Sequence, residues 1–219
     1  MDQVQALSQG KITIELVWDA GGGTFDGYEK GTLQRVLQGK YDLGLVASRT
    51  WDSENITNFQ ALHAPFLITN DALAEAVAAG AIGKRMLDSL TAVGLVGLTL
   101  WPEDLRHPFS VMPDKPLLSP QDFAGLHIRA APSDVTYQLI DTLGAMPMFG
   151  DGGYEGAESG LRQGGTLTGR PIATGNVVFY PKFQVIFANG DAFNRLSDAQ
   201  RTVLRQAATA AQTKAIAER

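Results

Sequence analysis

Two arginines, Arg106 and Arg129, are the side chains best placed to do chemistry, each following a segment that reads as a buried strand. A guanidinium stays protonated at ordinary pH and presents a planar fork of donors that matches the two oxygens of a carboxylate. In α/β folds, ligands sit beyond the carboxyl ends of the strands. Arg129 lies in Phe123-Ala-Gly-Leu-His-Ile-Arg-Ala-Ala-Pro-Ser133, which reads as a turn (Pro120 to Gly125), a short strand (Leu126 to Ala130) and a helix start at Pro132 and Ser133. Leu126, Ile128 and Ala130 make that strand apolar, and a charge at its end needs a partner. Arg106 belongs to the polar cluster Pro102-Glu-Asp-Leu-Arg-His-Pro108, after a strand at Val96 to Trp101. The ordinary fate of an arginine is a surface ion pair. The specific reading is a site for a small carboxylate, anchored by Arg129.

Other chemistry has little support. His63, His107 and His127 have neither i, i+4 spacing nor an acidic cluster around them, so no metal site is expected. His127 shares a strand face with Arg129; it either faces the site as a donor or fills an edge. Glu103 and Asp104 are sequence neighbours, which suits a solvated loop better than an acid/base pair. No Gly-x-Ser-x-Gly elbow occurs, and Gly21-Gly-Gly-Thr24 lacks the Gly-Lys-Ser/Thr of a phosphate loop. Cysteine is absent, which removes disulfides, thiolate nucleophiles and zinc ribbons. No catalytic residue and no cofactor is expected.

The elements that must position the arginines come from a chain of 219 residues, enough for one large domain or two small ones. With 44% hydrophobic and 19% charged residues the composition is that of an ordinary globular protein. The net charge of −5, without any basic run, argues against nucleic-acid or anionic-membrane binding. An anionic ligand must therefore be attracted locally. No apolar run is long enough to span a membrane. The first ten residues lack the pattern of an export signal; they read as the tail of a helix stopped by Gly10, and the chain is expected to be truncated.

Lys11 to Trp18 reads as a strand, Phe25 to Gln38 as a helix, and Tyr41 to Ala47 as a buried parallel strand. Ser48 to Asn58 is polar and holds Trp51, which either walls a crevice or packs its loop onto the body. Helices follow from about Ala72 to Ala79, capped by Asn70 or Asp71, and from Ile82 to Val93. Phe109 to Met112 reads as a strand and Pro113 to Pro120 as a turn-rich link. Asp134 to Leu143 reads as a helix, Met146 to Gly153 as a loop and Tyr154 to Gln163 as a short helix. Asn176 to Ala188 is a long strand interrupted by Pro181, and a final helix starts after Ser197. Strands alternating with helices indicate an α/β fold with mainly parallel sheets.

The order of segments resembles the solute-binding proteins of tripartite ATP-independent periplasmic (TRAP) transporters, of the dicarboxylate-binding type. The similar pieces are Leu33 to Ser48, Leu62-His-Ala-Pro-Phe-Leu67, and Gly94 to Trp101 followed by Leu105-Arg-His107. Then come Leu118 to Ser133, Leu143-Gly-Ala-Met-Pro147 and Ala192 to Gln200. The resemblance implies a two-domain, periplasmic-binding-protein-like (class II) fold that closes a hinge on an organic acid in a cleft. Domain I is expected at 1–103 plus about 174–219, and domain II at 104–173. It also implies a membrane permease as partner, a periplasmic location, and no enzymatic activity.

The family's main ligand arginine lies in a Gly-Leu-x-Ile-Arg motif, here Arg129, and Arg106 matches the place of a second. Residues after the Gly-Ala-x-Pro turn line the family's cleft, which points to Met148 and Phe149. The family's usual Asp-Gly-x-Glu-Asn-Pro segment is replaced by Gly164-Gly-Thr-Leu-Thr-Gly-Arg-Pro171, so Asn176 is the candidate for the usual asparagine contact. The family's first strand and C-terminal helices are missing from the resemblance. The rival functions are an effector-binding domain of a regulator and a carboxylate-processing enzyme on the same fold.

Overall fold

A computed structural model describes residues 2–22, 27–150, 152–167 and 169–218. Gly23, Thr24, Phe25 and Asp26, the end of the glycine loop and the start of the expected second helix, lie outside the described residues. The helices are α1 (Asp2–Leu7), α2 (Tyr28–Leu37), α3 (Asp71–Ala79), α4 (Ala81–Ser89), α5 (Asp134–Thr142), α6 (Gly190–Asn194) and α7 (Asp198–Ala217). The strands are β1 (Leu43–Ala47), β2 (Leu95–Ser110), β3 (His127–Arg129), β4 (Met146–Met148), β5 (Gly156–Gly160), β6 (Ile172–Ala173) and β7 (Tyr180–Asn189). The chain forms two compact units. The first is Met1–Ala47, Ala76–Glu103 and Gln184–Arg219; the second is Ser48–Glu75 and Asp104–Phe183. Strands β2 and β7 contribute one end to each unit.

In the first unit, β1 pairs antiparallel with β7, from Leu43 opposite Ala188 to Ala47 opposite Gln184. Its core gathers Val4, Ala188, Phe193, Leu204 and Ala207, with Ile12, Ile14, Leu43, Val96 and Leu98 packed against them. Helix α7 begins with a reciprocal cap: the Ser197 hydroxyl accepts from Gln200 N (3.3 Å), and the Gln200 side chain accepts from Ser197 N (2.9 Å). Further along, Gln212 donates to Leu100 O (2.8 Å) and accepts from the Thr99 hydroxyl (3.0 Å), which ties the helix to β2.

In the second unit, β2 pairs antiparallel with β5, from Arg106 opposite Gly160 to Ser110 opposite Gly156, and with the short β6. Strand β3 pairs in parallel with both β5 and β4. One face of this sheet packs Ile128 and Ala130 with Leu139 and Ile140 of α5, together with Phe123, Phe179 and Tyr180. The opposite face packs Phe109, Ala157 and Leu167 with Val111 and Tyr154.

The α/β class and the two-unit organisation agree with the sequence reading, but the strand directions are mixed. Strand β1 is antiparallel to its neighbour, where a parallel strand was expected. Residues 11–17 form no strand among the described residues. Ile12 and Ile14 still alternate toward the core, and that produces the strand-like pattern. Strand β2 runs unbroken through Pro102 and Pro108, so Arg106 sits inside a strand and not after one. The segment 154–163, expected as a helix, contains β5; Gly156 and Gly160 weaken a helix and permit close strand packing. The segment 48–75, expected in the first domain, lies in the second unit. Hydrogen bonds hold it there, including the buried Ser133 Oγ to Asp52 Oδ2 at 2.8 Å and Phe66 N to Phe179 O at 2.8 Å.

Gly156 shows how tightly β5 is seated. A Cβ there would lie 2.7 Å from Ile128 Cδ1, 2.9 Å from Phe109 O and 3.1 Å from Leu117 Cδ1. Gly156→Ala should therefore destabilise the protein by about 1–3 kcal/mol through overpacking. A lowered unfolding midpoint in urea is the expected result; an unchanged midpoint would mean that the strand is looser than described.

Candidate functional site

Local sequence places Arg129 closely. Ser119 and Asp122 form a capping box that fixes the turn before the strand. Gly125 then takes φ +76, a left-handed conformation suited to glycine, and donates to Gly144 O at 2.8 Å. The strand that follows is short, and Ser133 caps α5 four residues after Arg129 by accepting from Thr136 N at 3.3 Å. Ile128 faces the α5 core at 1% exposure, while His127 and Arg129 are half-buried on the opposite face.

The register shows what shares that face. Arg129 is opposite Met148 on β4 and Ala157 on β5, and Ala157 is opposite Phe109 on β2. Arg129 Nε donates to Gly150 O at 3.2 Å, and its guanidinium carbon lies 5.9 Å from the centre of the Tyr154 ring. That distance is at the outer limit of a cation–π contact. His127, on the same face, sits 3.2 Å from Glu155 through Nδ1. The His127 backbone N–H donates to the same carboxylate at 2.7 Å and holds it below the usual range.

Arg106 lies on the other face, three residues from Phe109 along β2. Its Nε is 2.5 Å from Glu158 Oε2, its NH2 donates to Glu158 O at 3.1 Å, and its NH1 donates to Gln163 Oε1 at 2.8 Å. Arg49 approaches the other carboxylate oxygen at 3.9 Å, and Ala131 N donates to that oxygen at 3.4 Å. The side chains of Arg49, Arg106 and Glu158 are all less than a tenth exposed. Burial opposes the charge on Glu158, but Arg106 and then Arg49 outweigh it and hold the carboxyl below its ordinary range.

Around this ionic cluster runs a sealed polar network. The Ser48 hydroxyl and His63 Nε2 are 2.8 Å apart, with both residues buried. Burial, reinforced by Arg49, lowers the His63 pKa to about 3, so the ring is neutral at physiological pH. The Tyr180 ring meets His63 edge-on at 5.7 Å, and the Tyr180 hydroxyl accepts from Thr136 Oγ1 at 3.0 Å. Burial pushes the Tyr180 hydroxyl well above its ordinary pKa. Asp52 Oδ2 accepts from Ser133 Oγ and from Val135 N at 3.3 Å, yet burial still raises its pKa.

Of the residues expected at the site, Arg129 and Met148 share one face, with Tyr154 beside the arginine. Arg106 is on the opposite face and bound to Glu158. Phe149 packs on the Tyr137 ring at 5.2 Å between centroids. Trp51 is fully buried and edge-on to Phe59 at 5.2 Å, which places it in the core and not at a crevice wall. Asn176 sits on an exposed turn between β6 and β7.

Glu158 and Arg49 were missed by the sequence reading, though both left signals. Arg49 follows the carboxyl end of β1, the same positional argument that singled out the other two arginines. Glu155-Gly-Ala-Glu158-Ser-Gly160 has the spacing of the Asp-Gly-x-Glu-Asn-Pro segment that had been sought further on. Ser159 thus stands where that pattern has asparagine. A depression of about 410 Å³ in the second unit is lined by Met112, Lys115, Leu117, Leu118, Asp122 and Leu126; none of these is a site candidate.

The profile of the bacterial extracellular solute-binding protein family 7 (DctP) matches residues 1–148. The chain belongs to this family. The C4-dicarboxylate-binding periplasmic protein DctP of Rhodobacter capsulatus is 31% identical over 93 residues, covering 42% of this chain and 27% of that protein. The chain spans a quarter to a third of the length of the curated relatives it matches. A TRAP periplasmic solute-binding protein from Xanthobacter autotrophicus Py2, with bound β-D-galacturonate, superposes with a TM-score of 0.80 at 22% identity. It covers 98% of this chain and 73% of that one. Another from Ralstonia eutropha H16, with bound (S)-2-acetolactate, gives 0.81 at 21% identity, covering 99% of this chain and 71% of that one. These likenesses show that the chain has the α/β, periplasmic-binding-type fold of the family.

The sealed network gives a pH dependence whose sign follows from His63. Between pH about 6.5 and 3 the unfolded chain protonates this ring and the folded chain does not. Stability therefore falls as pH drops through that window, by up to about 1.4 kcal/mol per unit from this group. His63→Gln should flatten the fall in urea midpoint between pH 7 and 4 by up to one proton's slope. An unchanged slope would mean that His63 titrates normally in the folded protein.

Proposed function

We propose that this protein is an extracytoplasmic solute-binding component of a TRAP-type uptake system. It captures a small organic acid through the acid's carboxylate and presents it to a membrane permease. The observation that carries the reading is Arg129. It ends strand β3 in the family's Gly-Leu-x-Ile-Arg pattern, and the register sets Met148 beside it and the Tyr154 ring within reach. A half-buried guanidinium beside an apolar side chain and an aromatic ring suits a carboxylate head with a carbon body.

Family membership and the two acid-bound structural neighbours support the same assignment. Binding without turnover fits the Ser48–His63 pair, which is buried on both sides and serves the packing of the second unit. The proposed periplasmic location follows from the family. Among the described residues no helix is long and apolar enough to cross a membrane, and no group of three His, Asp or Glu is placed to hold a metal ion.

Arg129→Ala leaves a bound anion without its fork of donors, which costs roughly 2–5 kcal/mol when the pair is shielded from water. Binding should weaken by a factor of about 30 to several thousand. Arg129→Lys should restore part of it, since lysine returns the charge but not the planar geometry. Isothermal calorimetry with a panel of hydroxy, keto and sugar acids provides the measurement. Binding of Arg129→Ala within twofold of the parent would remove Arg129 as the anchor.

A further inference from the structure

Lys11 to Trp18 carries a strand's sequence without a strand's partners. Ser8 Oγ accepts from Ile12 N at 3.0 Å and fixes the start of the run. After it, residues 13–18 make no backbone–backbone hydrogen bond among the described residues. Ile12 and Ile14 are half-buried against the core of the first unit, while Lys11, Thr13 and Glu15 are exposed. That alternation has the period of a strand lying on a core. Leu16 and Val17 are exposed as well, and Trp18 is 82% exposed. A β-branched run with unpaired backbone groups is a template for pairing with another chain.

The charges identify that other chain. Among the described residues neither Lys11 nor Glu15 takes part in an ion pair. In an antiparallel pair of two copies centred on Thr13, Lys11 of each copy faces Glu15 of the other. Ile12 then faces Ile14, and Thr13 faces Thr13. Opposite charges and the threonines lie on the solvent side, and the isoleucine pairs join the two cores; such cross-strand pairs stabilise an antiparallel ladder. Leu16 falls opposite Gly10, where a Cβ would meet nothing within 4 Å, so the leucine has room. Trp18 falls beyond Gly10, toward the end of the other copy's α1. A parallel in-register pair would set Lys11 against Lys11 and Glu15 against Glu15, which is unfavourable. The charge order therefore selects the two-fold arrangement, an isologous contact that closes at two copies.

We propose that Lys11 to Trp18 is a self-docking strand, through which two copies of this chain pair antiparallel about Thr13 and close into a dimer. The proposal is independent of acid capture by Arg129, which lies in the second unit.

Analytical ultracentrifugation should show a concentration-dependent equilibrium between monomer and dimer. Lys11→Glu and Glu15→Lys each turn both opposite-charge pairs into like-charge pairs, and each should raise the dissociation constant about tenfold. Mixed together, the two variants should associate with each other as tightly as the parent does with itself, because every charge then faces its opposite. The double variant should likewise recover the parent's constant. Both positions are exposed, and circular dichroism checks the fold. Thr13→Cys gives a second measurement in a chain without cysteine. Under mild oxidant it should cross-link two copies far faster than Lys11→Cys, since only position 13 faces itself. A chain monomeric up to its solubility limit overturns the proposal. So does a mixture of the charge variants that stays monomeric, or equal cross-linking at positions 11 and 13. A dimer indifferent to both charge changes, as pairing along the edge strand β1 with its exposed Leu45 would give, overturns it too.

Discussion

A carboxylate buried between two guanidinium groups must keep both its partners, and this requirement shapes the second unit. Glu158 is 2% exposed, and leaving its charge without Arg106 would cost several kcal/mol. Keeping the pair requires β2 and β5 in one register, with Gly160 opposite Arg106 and Gly156 opposite Ser110. It also brings Arg49, and with it residues 48–75, onto the body of the second unit. Ala131 N donates to the same carboxylate, so the turn immediately after Arg129 is fixed by the cluster as well. Arg129 is thereby positioned from behind by a charge pair on the opposite face of its own sheet.

That arrangement divides labour between the two faces. The face of Glu158 is closed, with neutral His63, Ser48, Tyr180 and Thr136 completing a polar network that burial keeps away from water. The face of Arg129 is half-buried and carries Met148, Tyr154 and the His127–Glu155 pair. A closed face behind a more open one is the preorganisation that the proposed role of Arg129 requires.

Much of this was legible in the sequence where the signal is local. The Gly125 turn, the apolar alternation of Leu126, Ile128 and Ala130, and the Ser133 cap located Arg129 correctly at the end of its strand. Ser197 and Gln200 likewise announced α7. What was not legible depended on pairing between distant segments. The sequence places Arg106 after its strand, in the polar cluster from Pro102 to Pro108, yet β2 continues through both prolines. Residues 154–163 looked helical because their spacing of apolar residues is ambiguous, while the decisive feature is close packing of Gly156 on Ile128. The sequence leaves Trp51 between a crevice wall and packing its loop onto the body, and its edge-on contact with Phe59 decides for packing. Glu158 could have been found from the Gly-x-Glu spacing, but its two arginine partners are 52 and 109 positions away in the chain.

The central claim is that this chain captures an organic acid through Arg129. Native mass spectrometry of the protein, purified without denaturation, tests it most directly because no ligand has to be guessed. The account predicts a bound small acid on the parent protein, released on unfolding and absent from Arg129→Ala prepared in parallel. A neutral or cationic molecule in its place, or an acid retained equally by Arg129→Ala, would contradict it.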